Sequence, residues 1–173
     1  MSRPAAAAVA AAIALVAATL VRYGLTWNGA AWSVVQVALV ALAWIDLRER
    51  RLPNAVVVPL GIGAIVMRAA FERDALVESV VAGAIAFAAF LLLALLVRGG
   101  LGMGDVKLAA AEGLLFGKTA LAAILIGVAL GGVAAALLLV TRREGRKSTY
   151  AYGPYLALGA AIAILGLRPP PLA

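Results

Sequence analysis

Apolar runs of bilayer length recur along this chain with only short polar breaks between them, and that pattern leaves it one kind of fold. Residues 4–21 and 79–97 carry no charged side chain at all. At about 1.5 Å per residue, each is long enough to span most or all of a hydrocarbon core. Further runs cover Ala30–Ile45, Ala55–Met67, Val106–Phe116, Thr119–Val140 and a last stretch ending near Leu167. Asn54 reads as the N-cap of the run that follows it, Arg68 to Glu78 as a polar link, and the Pro169-Pro170-Pro171 tail as disordered, while the short segment Val106–Phe116 is expected to pack inside the bundle or kink at Gly113. Inside lipid every backbone amide needs a partner within its own segment, so such runs fold as helices. The sequence predicts an all-α, polytopic membrane helix bundle of about six to seven transmembrane helices, one integral membrane domain over residues 1–173. A cleaved signal peptide is the rival reading of the first run, but Arg22 follows that run directly and its length favours a retained helix.

Composition narrows the chemistry. The chain is 65% hydrophobic and contains neither cysteine nor histidine. This excludes disulfides, thiol nucleophiles, imidazole bases and Cys- or His-based metal sites. Hydrolysis would have to rest on carboxylates, lysine or a carboxylate-bound metal, and no metal or cofactor is assigned. The net charge of +7 comes from basic residues beside apolar segments, with no soluble basic domain to hold them. A lipid surface explains it and nucleic acid does not.

The basic residues also set the expected topology. With a cytoplasmic N-terminus, Arg3, Arg48, Arg50, Arg51, Arg98, Lys107, Arg142, Arg143, Arg146 and Lys147 lie inside, against Arg22, Arg68, Arg73, Lys118 and Arg168 outside. That bias obeys the positive-inside rule. It places Asp46, at the inner end of the second span, and Asp105, at the inner start of the fifth, on one face of the membrane.

Asp105 follows a glycine-rich break, Arg98-Gly99-Gly100-Leu101-Gly102-Met103-Gly104. Gly102 and Gly104 lack a Cβ, which permits positive φ and close approach of another group. As a lone motif, Asp105 reads first as a helix N-cap with Lys107 in the first turn, and Asp46 reads equally as part of a juxtamembrane cluster satisfied by its own arginines. Together the two carboxylates permit more. Close carboxylates share a proton, leaving one as base and one as acid. An aspartic dyad hydrolysing a peptide needs that arrangement.

Ile45-Asp46-Leu47-Arg48 leading to Leu52-Pro53-Asn54, then Gly102-Met103-Gly104-Asp105-Val106-Lys107-Leu108 with Gly113 and Gly117, then Tyr152-Gly153-Pro154-Tyr155-Leu156-Ala157-Leu158-Gly159, resemble the type IV prepilin leader peptidases, intramembrane aspartyl proteases of the Gly-x-Gly-Asp type. The resemblance covers about Ala41 to Gly159. It implies that Asp46 and Asp105 are the catalytic aspartates, with Gly102, Gly104, Lys107, Pro53, Gly153 and Pro154 supporting them or the substrate. The implied substrates are prepilin or pseudopilin precursors with a basic leader and a hydrophobic helix, cut on the cytoplasmic side of a bacterial inner membrane. Longer members carry a domain with paired cysteines, associated with N-methylation, after the first helix. Here the first connection is short and cysteine-free, which implies the compact, peptidase-only form. Oligomeric state is not legible.

Glu112, seven residues after Asp105, departs from the family pattern, where the position is apolar. It falls on nearly the same helix face two turns deeper. The sequence predicts a carboxyl bonded to a neighbouring helix's hydroxyl or backbone, the alternative being a role in tuning the pair. A small proton- or cation-coupled transporter using Asp46, Asp105 and Glu112 is the competing function. Both aspartates sit at one boundary rather than near midplane, which favours the protease.

Overall fold

The computed structural model describes residues 3–96, 101–140, 152–167, 169, 171 and 172. Seven α-helices and one 3-10 turn are found among them: α1 Arg3–Tyr23, α2 Trp27–Glu49, α3 Asn54–Phe71, α4 Arg73–Leu96, α5 Met103–Phe116, a 3-10 turn Gly117–Thr119, α6 Ala120–Val140 and α7 Gly153–Gly166. No strand occurs among the described residues. α1 to α4, and the continuous stretch 103–138 made by α5, the turn and α6, are each long and apolar enough to cross a membrane; α7 is shorter. This is the polytopic helical bundle the apolar runs predict.

The helices are joined by sharp local signals. Thr26 caps α2 by accepting the Gly29 N–H at 3.1 Å, the ordinary hydroxyl cap. Arg50 ends α2 in a left-handed conformation with φ 51°, so Arg51–Pro53 turn back over the helix end. α3 and α4 are separated by Glu72 alone. The expected polar link from Arg68 to Glu78 is therefore mostly helix, because charged residues extend both helices beyond their apolar runs.

α5 is the centre of the bundle. It buries Asp105, Val106, Leu108, Ala109, Ala111, Glu112, Gly113, Leu115 and Phe116, as predicted for a short segment packed inside. Glycines let its neighbours close on it. A Cβ on Gly113 would stand 2.5 Å from the Gly83 Cα of α4, so these two backbones touch. On another side Gly61 of α3 meets Leu114 and Ala111. Phe116 stacks on Trp32 of α2 with ring centroids 5.5 Å apart. Ile62, Ile85, Leu95 and Leu121 face outward, where lipid receives them.

Three expectations are corrected here. Arg68 is not in an exposed link but wholly buried in α3. Its guanidinium donates to the carbonyls of Leu114 (3.4 Å), Leu115 (2.6 Å) and Pro171 (3.3 Å), meeting the free acceptors at the end of α5. The Pro169-Pro170-Pro171 tail is expected to be disordered, yet Pro171 accepts from Arg68, and Leu172 is buried with its N–H donating to Asn28 Oδ1 at 3.0 Å. Asn54 does not cap α3; Pro53 takes the cap position. The basic loop 141–148, Tyr150, Ala151, Arg98, Gly99, Gly100 and Arg168 lie outside the described residues.

Candidate active site

Asp46 and Asp105 lie at one end of the bundle, 5% and 8% exposed. Asp46 stands in the last turn of α2. Its Oδ2 accepts the Gly153 N–H at 3.1 Å, a donor left free because it belongs to the first turn of α7. Arg48 and Arg51 are engaged elsewhere: Arg48 lies over the Trp44 ring at 5.2 Å and Arg51 pairs with Glu49.

Asp105 is the third residue of α5, whose N-cap is Gly102. Its Oδ2 accepts the Gly102 N–H at 3.0 Å. This is half of a capping box; the reciprocal half needs a side chain that glycine lacks. Asp105 therefore does stabilise the helix start, from within the first turn and not from the cap. Each aspartate is thus fixed through one oxygen by one glycine amide, and its other oxygen accepts no hydrogen bond among the described residues. The two carboxylates are close enough to interact electrostatically. No group of three or more acidic side chains that could hold a metal ion comes together among the described residues.

The glycines of the motif serve close packing. Gly102 has φ −83°, and neither it nor Gly104 has positive φ, against the expectation from their lack of Cβ. What approaches Gly104 is Leu52: a Cβ there would stand 2.9 Å from the Leu52 Cβ. A Cβ on Gly153 would stand 2.8 Å from Asp46 Oδ2 and 3.1 Å from both Leu52 Cδ atoms. Lys107 Nζ donates to Asn54 Oδ1 at 3.0 Å, tying the first turn of α5 to that of α3. Pro53 and Pro154 stand where a missing N–H costs least, at the starts of α3 and α7.

Tyr152 precedes Gly153 and packs its ring on Gly131 of α6. Burial, and after it the Asp105 carboxylate, push the Tyr152 phenol above its ordinary value of 10.0. It is a neutral group at the edge of the site. Tyr152 and Leu52 were visible in the motifs, but nothing in one sequence marks their contacts.

Glu112 is not brought into the site. It is wholly buried on α5, and neither of its carboxyl oxygens has a hydrogen-bond partner among the described residues. The expected bond to a neighbouring hydroxyl or carbonyl is absent among them.

Fold and site together define a multi-pass helical membrane protein with two buried aspartates at one end of its bundle. The family model of the type IV leader peptidase family matches residues 33–140, well over half the chain, and the chain belongs to that family. It is similar to a prepilin leader peptidase/N-methyltransferase of Xanthomonas campestris pv. campestris, 32% identical over 150 residues, which are 83% of this chain and 52% of that protein. A protein of the same name from Burkholderia pseudomallei is 32% identical over 158 residues, 87% and 51% of the two chains. One from Escherichia coli K12 is 32% identical over 129 residues, 72% and 57%. The chain thus spans about half the length of the curated relatives it matches. No solved structure matches it.

Proposed function

We propose that this chain is an aspartic endopeptidase of the bacterial inner membrane that removes the leader from type IV prepilin or pseudopilin precursors on the cytoplasmic side. The observation that carries the proposal is the convergence of Asp46 and Asp105. They are 59 residues apart in sequence, yet they interact at one end of the bundle, each oriented by a glycine N–H. Family membership and the relatives' names supply the substrate class.

The mechanism follows from one proton shared by the pair. The ionised aspartate takes a proton from a water molecule, and that oxygen attacks the scissile carbonyl carbon. The protonated aspartate donates to the carbonyl oxygen as the C=O bond opens. Collapse of the tetrahedral intermediate breaks the C–N bond: the proton first taken from water passes to the leaving amine, and one hydroxyl of the intermediate returns a proton to the second aspartate as the new carboxyl C=O forms. Gly153 and Gly102 hold the two carboxylates through this cycle. Asn54 and Lys107 keep the starts of α3 and α5 in register beneath them. A substrate with an apolar helix after its cleavage point fits an enzyme whose site opens at the membrane boundary.

The test is purified chain in detergent with a synthetic prepilin carrying a basic leader, run beside Asp46→Asn and Asp105→Asn. The parent cleaves at one site and both variants lose nearly all activity, because acid and base act as a unit. Intact substrate in the parent reaction, or full activity in either variant, defeats the reading and leaves the transporter as its successor.

A further inference from the structure

We propose that Leu52 is a positioning residue: its side chain is a spacer wedged between Gly104 and Gly153 that sets the distance between the two aspartates. The inference rests on the dyad reading for its consequence in catalysis, but not for its geometry.

The geometry is built from three short contacts. On one side the Leu52 Cβ stands 2.9 Å from where Gly104 would carry a Cβ, and Gly104 is bonded directly to Asp105. On the other side both Leu52 Cδ atoms stand 3.1 Å from where Gly153 would carry one. Gly153 in turn holds Asp46 Oδ2 through its N–H at 3.1 Å. One leucine side chain is therefore in contact with the backbone that carries one carboxylate and with the backbone that orients the other. Among the described residues, the three atoms nearest a Gly104 Cβ all belong to Leu52, and those nearest a Gly153 Cβ are Asp46 Oδ2 and the two Leu52 Cδ atoms.

The local chain presents this residue deliberately. The left-handed turn at Arg50 stops α2, and Pro53 fixes the backbone that enters α3. Between those two constraints Leu52 is swung back into the bundle, where it is 9% exposed, while Arg51 beside it stays in solvent. A residue needed only to fill core volume could sit anywhere along the apolar helices. Here a single apolar side chain in a polar connection is buried at the site itself.

Leu52→Ala removes Cγ and both Cδ atoms but keeps the Cβ that meets Gly104, so the gap opens on the Gly153 side, where no side chain holds it open. The carboxylates then approach each other. Two carboxylates that are closer separate their two ionisations further. Leu52→Ala should therefore show two linked changes: cleavage lower by about tenfold or more, as expected for a sub-ångström misplacement of reacting groups, and a pH profile whose acid and alkaline limbs lie further apart. Leu52→Met, which keeps most of the volume, should restore both.

A second readout does not depend on catalysis. The chain contains no cysteine, so Asp46→Cys with Asp105→Cys gives the only thiol pair. Oxidative cross-linking of that double variant should become faster when Leu52→Ala is added and return to the original rate with Leu52→Met, thermal unfolding being followed in each. Unchanged cross-linking overturns the spacer. Faster cross-linking in a parent chain that never cleaves substrate upholds the spacer and defeats the peptidase reading instead. If Leu52→Ala merely lowers the folded fraction, activity falls in proportion with the parental pH profile, and that also overturns the proposal.

Discussion

Gly153→Ala adds one carbon atom at the point where α7 meets Asp46. The new Cβ would stand 2.8 Å from Asp46 Oδ2, whereas ordinary contact begins near 3.4 Å. The deficit is 3.4 − 2.8 = 0.6 Å. The Leu52 Cδ atoms, at 3.1 Å, block relief in their direction. If the start of α7 backs away by the full amount, the Gly153 N–H to Oδ2 distance grows from 3.1 to 3.1 + 0.6 = 3.7 Å, too long for a hydrogen bond. If the carboxylate yields instead, Asp46 leaves its position opposite Asp105 by a similar distance. Loss of a hydrogen bond to a charged acceptor costs about 1.5–3 kcal/mol. A displacement of about 1 Å in a catalytic group costs on the order of 100-fold in rate, so about 10- to 100-fold is expected here. The assay is cleavage of the synthetic prepilin by purified protein, with thermal unfolding alongside. Gly132→Ala, with open space around it, is the control and keeps parental activity. Parental cleavage by Gly153→Ala would refute the idea that this amide holds Asp46.

Gly104→Val drives a branched side chain onto Leu52 and should abolish cleavage while the protein remains inserted in membranes, as judged by membrane fractionation and activity. Gly113→Ala meets the Gly83 backbone at 2.5 Å and should cost about 1–3 kcal/mol of stability by overpacking. Because the outer face of α4 meets lipid, α4 should yield and cleavage per folded molecule should change little. Cleavage by the parent should fall at low pH, when both aspartates are protonated, and at high pH, when both are ionised; a rate that rises steadily with pH would contradict a shared proton. Single cysteines replacing Arg51 and Asp74 should label from opposite sides of the membrane, Arg51 from the cytoplasm, and labelling from one side would reverse the placement of the pair.

The helices were legible because lipid demands long apolar runs, and the order of α1 to α7 follows them. Their ends were less so. Arg68 reads as a loop residue by charge alone, and its partners are carbonyls of α5 and the tail, which no side-chain pattern reveals. The two aspartates stood out because each is an acid beside apolar sequence. Their fastenings did not, since Gly153 and Gly102 act through amides that every residue possesses. Glu112 was expected to find a partner, and the described residues supply none. The glycines were read for backbone freedom, yet their use is contact with Leu52, Asp46 and Gly83.

The stack of Phe116 on Trp32 lies at the far end of α5 from Asp105, eleven residues away. Glycine contacts and the Arg68 bonds join α5 to α3 and α4. Gln36 and Asp46 join α2 to α7. The aromatic stack ties α5 to α2 about 16 Å along α5 from its carboxylate. A tilt of about 3° between those two helices about that stack would carry one carboxylate about 0.9 Å past the other, so packing at the far end of the bundle bears on the geometry at the site.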